Sequence, residues 1–423
     1  MTDLLQKCYD FQEADMVKAA GLYPLFRAME GSVGSSVVYQ GRRVVMTGSN
    51  NYLGLTNDPR VKQAAKDAID RFGTGCTGSR ALNGNSVLHD ELEIALADFV
   101  GKESGLAFTT GFLTNLGVIS CMAEEGDYIL SDGENHASII AGCKGSKATV
   151  VPYRHNDMLD LENKLKELPA DSGKLIVTDG VFSMTGEIVN LPELVAVKKK
   201  FTNAYLYLDD AHGLGVLGNN GRGTADHFGL TDEVDLIMGT FSKSFASLGG
   251  FVAGKHKVVD YIRHQSRAFI FSAAMPPSAA AAAFKALEIM RSDKKIFDRL
   301  WKNVTYIRNG FDKIGLAYVP SETPIISIFV GDEGKAFQLV KTLFEKNVFA
   351  TPVLFPAVPF GHAMIRTSYM ASHTEEDLDE VLDVFAEIAS EFGILRSQVE
   401  IPKEFSNRGT TWNFDSILTP TEA

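Results

Sequence analysis

Short apolar runs alternate with helix-length segments through much of the chain. Those that read as strands cover residues 106–109, 128–131, 149–151, 175–179, 205–209, 236–240 and 251–254. Strands that are apolar along their whole length and are separated by helices are typical of parallel sheets covered on both faces. The pattern therefore predicts an α/β fold built on a large, mainly parallel sheet of the seven-stranded type.

The pattern changes near residue 276. An Ala-rich segment at 278–290 predicts a long helix and residues 325–330 predict a strand, which indicates a smaller α+β domain. Near the other end, residues 37–45 predict a small hairpin with its turn at Gly41. We divide the chain into an N-terminal segment (1–48), a large α/β domain (49–290), a small C-terminal α+β domain (291–395) and a tail without an assigned role (396–423).

Composition and charge narrow the possible classes of protein. The chain has 423 residues, 45% of them hydrophobic and 22% charged, as in soluble globular proteins. The net charge of -12 argues against nucleic-acid binding, since phosphate backbones are met by clustered Lys and Arg. We see neither a secretion signal nor an apolar stretch long enough to span a bilayer, and the four cysteines lack zinc-site spacing. These features predict a cytoplasmic protein without a bound metal.

Two residues carry the first indication of chemistry. Lys243 lies just after one predicted strand, in a setting of small and apolar residues, and Asp209 ends another strand. Enzymes that use pyridoxal 5′-phosphate (PLP) need a lysine amine to hold the aldehyde as a Schiff base. They also need a carboxylate that keeps the pyridine nitrogen protonated, so that the ring can accept electrons. Lys243 and Asp209 fit these two tasks, and desolvation would lower the lysine pKa as the task requires.

The junction between a strand and a helix at Gly111 suits a phosphate group. Free backbone N–H groups and the positive end of the helix dipole attract an anion, and glycine allows a close approach. Such a junction is also an ordinary turn, so the phosphate assignment depends on Lys243 and Asp209.

Four further side chains fall at predicted strand ends or in the second domain. His136 could lie flat on the pyridine ring, although it could also cap a helix. His212 could donate to the phenolic oxygen of the cofactor or be a loop histidine, and Ser183 offers a small hydroxyl near the same ring. Arg366 could bind an amino-acid carboxylate in a two-pronged fashion or form a structural ion pair.

Together these stretches resemble the α-oxoamine synthases, PLP enzymes that join an amino acid to an acyl-CoA with loss of carbon dioxide. The resemblance covers residues 20–395. Its matching segments are 49–55, 110–112, 135–138, 209–212, 239–243 and 356–359 leading to Arg366. Three more segments, 21–27, 73–84 and 271–276, look most like the bacterial members that use L-serine and palmitoyl-CoA.

The resemblance implies a PLP enzyme of fold type I and assigns roles to particular residues. Lys243 would form the Schiff base, with Asp209, His212 and His136 around the ring. Gly111, Phe112 and Thr240 would also hold the cofactor, and Ser272 would reach its phosphate from the other subunit of a homodimer. Asn50, His136 and Arg366 would bind the amino acid.

The implied activity is a decarboxylative condensation of L-serine with a long-chain acyl-CoA to give 3-ketodihydrosphingosine, the first step of sphingolipid synthesis. Because the product resembles a lipid, transient contact with the inner membrane is a further hypothesis. Three alternatives stay open. They are a sister synthase that uses glycine or alanine, a non-catalytic scaffold subunit and an aminotransferase.

Overall fold

The computed structural model describes residues 3–405, in which thirteen β-strands form three sheets. The strands are β1 (Ser36–Tyr39), β2 (Arg42–Met46), β3 (Ser104–Phe108), β4 (Tyr128–Asp132), β5 (Thr149–Tyr153), β6 (Lys174–Asp179), β7 (Ala204–Asp209), β8 (Leu236–Thr240), β9 (Gly250–Gly254), β10 (Ile325–Gly331), β11 (Val348–Phe349), β12 (Thr351–Val353) and β13 (Ala363–Ser368).

Fifteen α-helices accompany these strands within the same residues. They are α1 (Gln6–Tyr9), α2 (Glu13–Ala19), α3 (Pro59–Phe72), α4 (Val87–Val100), α5 (Gly111–Met122), α6 (Ala137–Gly145), α7 (Met158–Lys166), α8 (Leu191–Lys198), α9 (Thr224–His227), α10 (His256–Gln265), α11 (Arg267–Ile270), α12 (Pro277–Ser292), α13 (Lys295–Ile314), α14 (Glu333–Glu345) and α15 (Glu375–Ile388). Across residues 3–405, none of them combines the length and the apolar character that crossing a membrane requires.

The large sheet has seven strands in the order β3-β9-β8-β7-β6-β4-β5. Strands β5, β4, β6, β7 and β8 are parallel, while β9 runs antiparallel to both β8 and β3. This confirms the predicted α/β fold and each of its seven strands. Parallel strands place their carboxyl ends along one edge, where α/β proteins bind their ligands.

Burial on both faces explains why the central strands of this sheet are apolar, whereas the edge strand β5 is largely exposed. Every residue of β6, β8 and β9 is buried, and helices cover the sheet with two separate apolar clusters. Removing an aliphatic side chain of this kind from water contributes about 1.5–3 kcal/mol. A strand with alternating polar residues would expose them to one of these apolar layers instead.

The smaller sheets complete the molecule. Strands β10, β13 and β12 form one of them, and β13 carries Arg366. Strands β1 and β2 form the expected hairpin, in which Gln40 and Gly41 both have positive φ, as a tight two-residue turn requires. The chain then adds β11 in parallel beside β2. The predicted long helix is α12, and it packs against α3 and α4.

The division into domains at residues 48, 290 and 395 stays a prediction. Most of the C-terminal tail, residues 406–423, lies outside the described residues.

Candidate active site

Three candidate residues meet at the carboxyl edge of the large sheet. Asp209 ends β7, Thr240 ends β8, and Lys243 follows in the loop that leads to β9. Lys243 is half-buried, and this burial lowers the pKa of its amine to about 8, although Asp209 and Asp179 favour the charged form. An amine with this pKa is partly neutral near pH 7, which makes it a nucleophile and a base.

The Asp209 carboxylate is buried and held by two donors. Its Oδ1 accepts a hydrogen bond from the Ala211 backbone N at 3.0 Å, and its Oδ2 accepts one from Asn115 Nδ2 at 2.6 Å. Asn115 lies on α5, and its Oδ1 accepts the Tyr207 hydroxyl proton at 2.7 Å. The carboxylate is therefore fixed in one orientation at the strand end, as a partner of a pyridine nitrogen must be.

His136 is connected to the same network through Ser138. The Ser138 hydroxyl accepts from Asn115 Nδ2 at 2.8 Å and lies 2.6 Å from His136 Nδ1. His136 Nδ1 also accepts from the Ser138 backbone N at 3.2 Å, which makes the residue the N-cap of α6. The helix-capping role and the ring position are thus compatible, because the cap uses Nδ1 and leaves Nε2 as the donor.

The electrostatic setting of His136 keeps its imidazole neutral. Burial of part of the ring and the charge of Lys243 lower its pKa, although Asp209 raises it. The backbone N of His136 donates to Asp179 Oδ2 at 2.8 Å, which fixes the loop that carries the ring. Burial and the neighbouring Asp209 raise the pKa of the Asp179 carboxyl well above its usual range.

His212 is buried next to Tyr52. Its Nδ1 lies 2.7 Å from the Tyr52 hydroxyl oxygen. Burial, Lys243 and Arg366 hold the His212 pKa well below its usual value, and burial raises the Tyr52 pKa to about 12. A neutral imidazole that accepts at Nδ1 carries its proton on Nε2, so His212 can donate from that atom as the sequence suggested.

Arg366 is buried and has no carboxylate partner within residues 3–405. Its Nε donates to the Ser183 carbonyl at 2.6 Å and its Nη2 to Asn50 Oδ1 at 2.8 Å. A third contact, from Nη2 to the Tyr52 hydroxyl, is longer at 3.4 Å. A buried charge normally has a charged partner. The absence of one in the described chain favours a ligand carboxylate over the alternative of a structural ion pair.

The start of α5 fits a phosphate group. The N-cap Thr110 accepts from Leu113 N, but the first N–H groups of a helix, here those of Gly111 and Phe112, have no intrahelical partner. A Cβ atom at Gly111 would lie 2.7 Å from Thr240 Oγ1, so only glycine permits this close approach. The amine, the carboxylate and this helix start together match the aldehyde, ring nitrogen and phosphate of PLP.

Two candidates have weaker contacts with this group of residues. Ser183 contributes its backbone carbonyl to Arg366, and among the described residues we find no hydrogen bond from its hydroxyl. Ser272 lies between α11 and α12, beside Thr109. No hydrogen bond within residues 3–405 joins Ser272 to the other candidates, and its contact across a dimer stays a prediction.

A large apolar cavity opens beside His136. Its volume is about 820 Å³, within the range of sites for small molecules. The lining includes His136, Ile140, Phe182, Met184, Phe355 and Val358. This cavity could hold a long apolar group next to the imidazole.

Comparison with known protein families covers most of the chain. The model of aminotransferase class I and II matches residues 42–385. The chain belongs to this family. Among members of the family, the serine palmitoyltransferase of Bacteriovorax stolpii is 50% identical over 384 residues, 90% of this chain and 91% of that protein. The 8-amino-7-oxononanoate synthase of Thermoanaerobacter pseudethanolicus is 43% identical over 385 residues, 91% of this chain and 97% of the other.

The fold is also similar to that of a solved structure of serine palmitoyltransferase (SPT) with PLP. It has a TM-score of 0.90 and 35% identity, and the match covers 93% of this chain and all of that one. The predicted fold class, that of fold type I PLP enzymes, is thereby confirmed.

Sequence reasoning missed two members of the site. Asn115 lies four residues after Gly111 on α5, so both residues face the sheet edge, and this i, i+4 spacing was a usable signal. Tyr52 lies two residues after Asn50, but its contact with His212 joins positions 160 residues apart. No local pattern could have indicated that contact.

Proposed function

We propose that the protein is a PLP-dependent serine palmitoyltransferase. It would condense L-serine with a long-chain acyl-CoA, such as palmitoyl-CoA, to give 3-ketodihydrosphingosine, CoA and carbon dioxide. The observation that carries this proposal is the position of Arg366, a buried guanidinium without a carboxylate partner in the described chain, at a site that also holds Lys243 and opens into an apolar cavity. Relatives of the same name at up to 50% identity support it.

The cofactor would be held by residues at or after the carboxyl ends of β4, β6, β7 and β8 and by the start of α5. Lys243, Asp209, His212, Ser183 and His136 would surround its ring, and Gly111, Phe112 and Thr240 its phosphate. When bound, PLP supplies an electron sink that stabilises negative charge at the amino-acid Cα. The partner subunit's Ser272 would complete the phosphate site, and this assignment requires a homodimer.

The proton at the serine Cα would move to Lys243. An amine with a pKa of about 8 is close to the range in which a general base is most effective at neutral pH. Asp209, oriented by Asn115, would keep a negative charge beside the ring nitrogen. His212 would donate from Nε2 while Tyr52 occupies Nδ1.

The serine carboxylate would bind Arg366. The hydrogen bonds from Arg366 to Ser183, Asn50 and Tyr52 use Nε and both Nη2 protons, so the two Nη1 protons can face the carboxylate. Charge-assisted pairs of this kind are stronger than neutral hydrogen bonds. His136 would meet the same carboxylate and, through Nε2, polarise the thioester carbonyl. The apolar cavity beside it would receive the acyl chain.

The proposed location is the cytoplasm, with transient contact at the inner membrane because the product resembles a lipid. Sedimentation with vesicles that contain anionic lipid tests this contact. A protein that stays in the supernatant at every lipid concentration would contradict it.

The decisive experiment is a titration of the visible absorbance of the PLP-loaded protein with L-serine, glycine and L-alanine in parallel. A saturable change with L-serine alone supports the proposal, and Lys243→Ala should abolish both turnover and the absorbance band of the Schiff base between PLP and the lysine. A preferential response to glycine or alanine would indicate a sister synthase. A protein that binds no PLP would indicate a scaffold subunit, and conversion of PLP to its amine form without acyl-CoA would indicate an aminotransferase.

A further inference from the structure

A buried histidine outside the proposed active site contacts three acidic residues. His155 lies in the turn between β5 and α7 and is only 4% exposed. Its Nδ1 is 2.8 Å from Asp132 Oδ1, and its Nε2 is 3.2 Å from Glu187 Oε2 and 3.5 Å from Glu134 Oε2. The proposed reaction gives no task to any of these four side chains.

Both ring nitrogens lie at hydrogen-bond distance from carboxylate oxygens, which favours a proton on each of them. A neutral imidazole would direct a lone pair at a carboxylate oxygen from either Nδ1 or Nε2, whereas an imidazolium donates from both. The charges agree with the geometry, because Glu134 and Asp132 raise the pKa of His155 well above its usual value although burial lowers it. His155 is therefore a positive charge enclosed by carboxylates.

The two acceptors of His155 belong to two different loops at the cavity. Asp132 starts the loop that leads to His136, and its Oδ1 also accepts from the Glu134 backbone N at 2.9 Å. Glu187 ends the loop that contains Ser183, the residue whose carbonyl accepts from Arg366. A single imidazolium thus joins the loop of His136 to the loop that supports Arg366.

Asn156 strengthens the same link. Its backbone N donates to Asp132 Oδ2 at 2.8 Å, and its side chain donates to Glu187 Oε1 at 2.6 Å. Asn156 has a positive φ of 49°, a conformation that asparagine tolerates better than most residues. The turn after β5 is therefore shaped to present both side chains to the two loops.

We propose that His155, in its doubly protonated form, is a positioning residue for the amino-acid end of the active site. It fixes the distance between the loop of residues 132–136 and the loop of residues 182–187. Through them it orients His136 and the Ser183 carbonyl that holds Arg366. The consequence for serine binding rests on the proposed function, but the ordering of the two loops does not.

The groups that face His155 set how this link responds to pH. They are Asp132, Glu134 and Glu187, together with the edge of the Phe182 ring at 4.3 Å between centroids. Burial raises the Glu134 pKa to about 7, opposed by His155, whereas hydrogen bonds from His155 lower the Glu187 pKa although burial raises it. Glu134 also lines the apolar cavity, so its loss of a proton near pH 7 would add a negative charge to the cavity wall.

Hydrogen exchange of the cofactor-free protein tests the ordering of the loops directly. In His155→Gln we expect the amides of residues 132–136 and 182–187 to exchange at least about tenfold faster, the effect of losing one charged hydrogen bond. His373→Gln is the matched control, because His373 is equally buried but bonds to the backbone of Met370 and Met46. It should leave both loops unchanged. Unchanged exchange in His155→Gln would overturn the proposal.

A second comparison separates positioning from a general loss of structure. In the double variant that combines His155→Gln with Glu187→Gln, two neutral amides replace the ion pair. Amide hydrogen exchange in the two loops should therefore return toward the wild-type rate. In the PLP-loaded enzyme, His155→Gln should raise the KM for L-serine more than it lowers kcat, and the increase should be smaller when His136 is already replaced by Asn. Fully additive effects would contradict a role through His136.

The wild-type protein provides a test that does not depend on folding of a variant. The ¹⁵N shifts of the His155 ring should report two protons at pH 7.5, and a singly protonated ring would overturn the proposal. If the wild-type spectrum of bound PLP does not respond to L-serine, the proposed function fails. The exchange and ring-protonation results would still decide the role of His155 in the loops.

Discussion

Replacing Arg366 with lysine keeps the positive charge but removes the planar fork. In the structure Nε and Nη2 donate to Ser183 and Asn50 at 2.6 Å and 2.8 Å, which fixes the guanidinium plane. A lysine amine cannot keep these bonds and also donate to a carboxylate in the same fixed orientation. Loss of one charged hydrogen bond costs about 1.5–3 kcal/mol, so the dissociation constant of L-serine should rise roughly 10- to 100-fold.

The assay is a spectral titration of the PLP-loaded enzyme with L-serine and with ethanolamine, which is serine without its carboxylate. Arg366→Lys should weaken only the binding of L-serine and leave that of ethanolamine within about twofold. Arg308→Lys is the matched control, because Arg308 is a partly buried arginine that donates to the Thr323 carbonyl, outside the proposed site. Equal losses for L-serine and ethanolamine would refute the assignment of Arg366 to the substrate carboxylate.

Three further predictions concern the cofactor site. The rate at which cofactor-free protein captures PLP should rise about tenfold per pH unit and level off above the Lys243 pKa of about 8, since only the neutral amine attacks an aldehyde. Stopped-flow absorbance measures this rate, and a rise that continues to pH 10 would contradict the lowered pKa. Asn115→Ala removes the side-chain donor to Asp209 and should lower the free energy of unfolding by about 1–3 kcal/mol and weaken PLP binding. Urea denaturation measures the stability and a PLP titration measures the affinity. Unchanged PLP affinity would show that the orientation of Asp209 does not depend on Asn115. Gly111→Ala places a methyl group 2.7 Å from Thr240 Oγ1 and should raise the PLP dissociation constant at least about tenfold. Equal affinity of the two proteins by equilibrium dialysis would exclude Gly111 from the phosphate site.

The central strands of the large sheet were predictable because burial on both faces leaves a continuous apolar run in the sequence. The edge strand β5 is largely exposed, but it too has a short apolar run between helix-length segments. The positions of Lys243 and Asp209 were predictable as well, because PLP chemistry needs these two residue types and strand ends bring them together. The contacts of Asn115 were not, since one amide joins Asp209, Ser138 and Tyr207 from three separate elements.

Other features depend on pairings between distant segments. Strand β11 has only two residues, and it is a strand because it pairs with β2. The apolar cavity has walls from residues near 136, 182 and 356, and no single segment of the sequence describes its shape. Tertiary packing therefore determines these parts of the site.

The antiparallel direction of β9 has a consequence for the order in which the site is assembled. Strand β9 returns beside β8 through only the nine residues between Thr240 and Gly250, whereas the parallel strands are joined by longer crossovers that contain helices. Contacts between residues that are close in sequence form faster than those between distant ones. The antiparallel pair β8–β9, whose connecting loop carries Lys243, can therefore form early. The hydrogen bond between Arg366 and Asn50 joins positions 316 residues apart, so it is expected to form later. In such a folding order Lys243, the proposed cofactor lysine, is in place before the proposed binding site for the amino-acid carboxylate is formed.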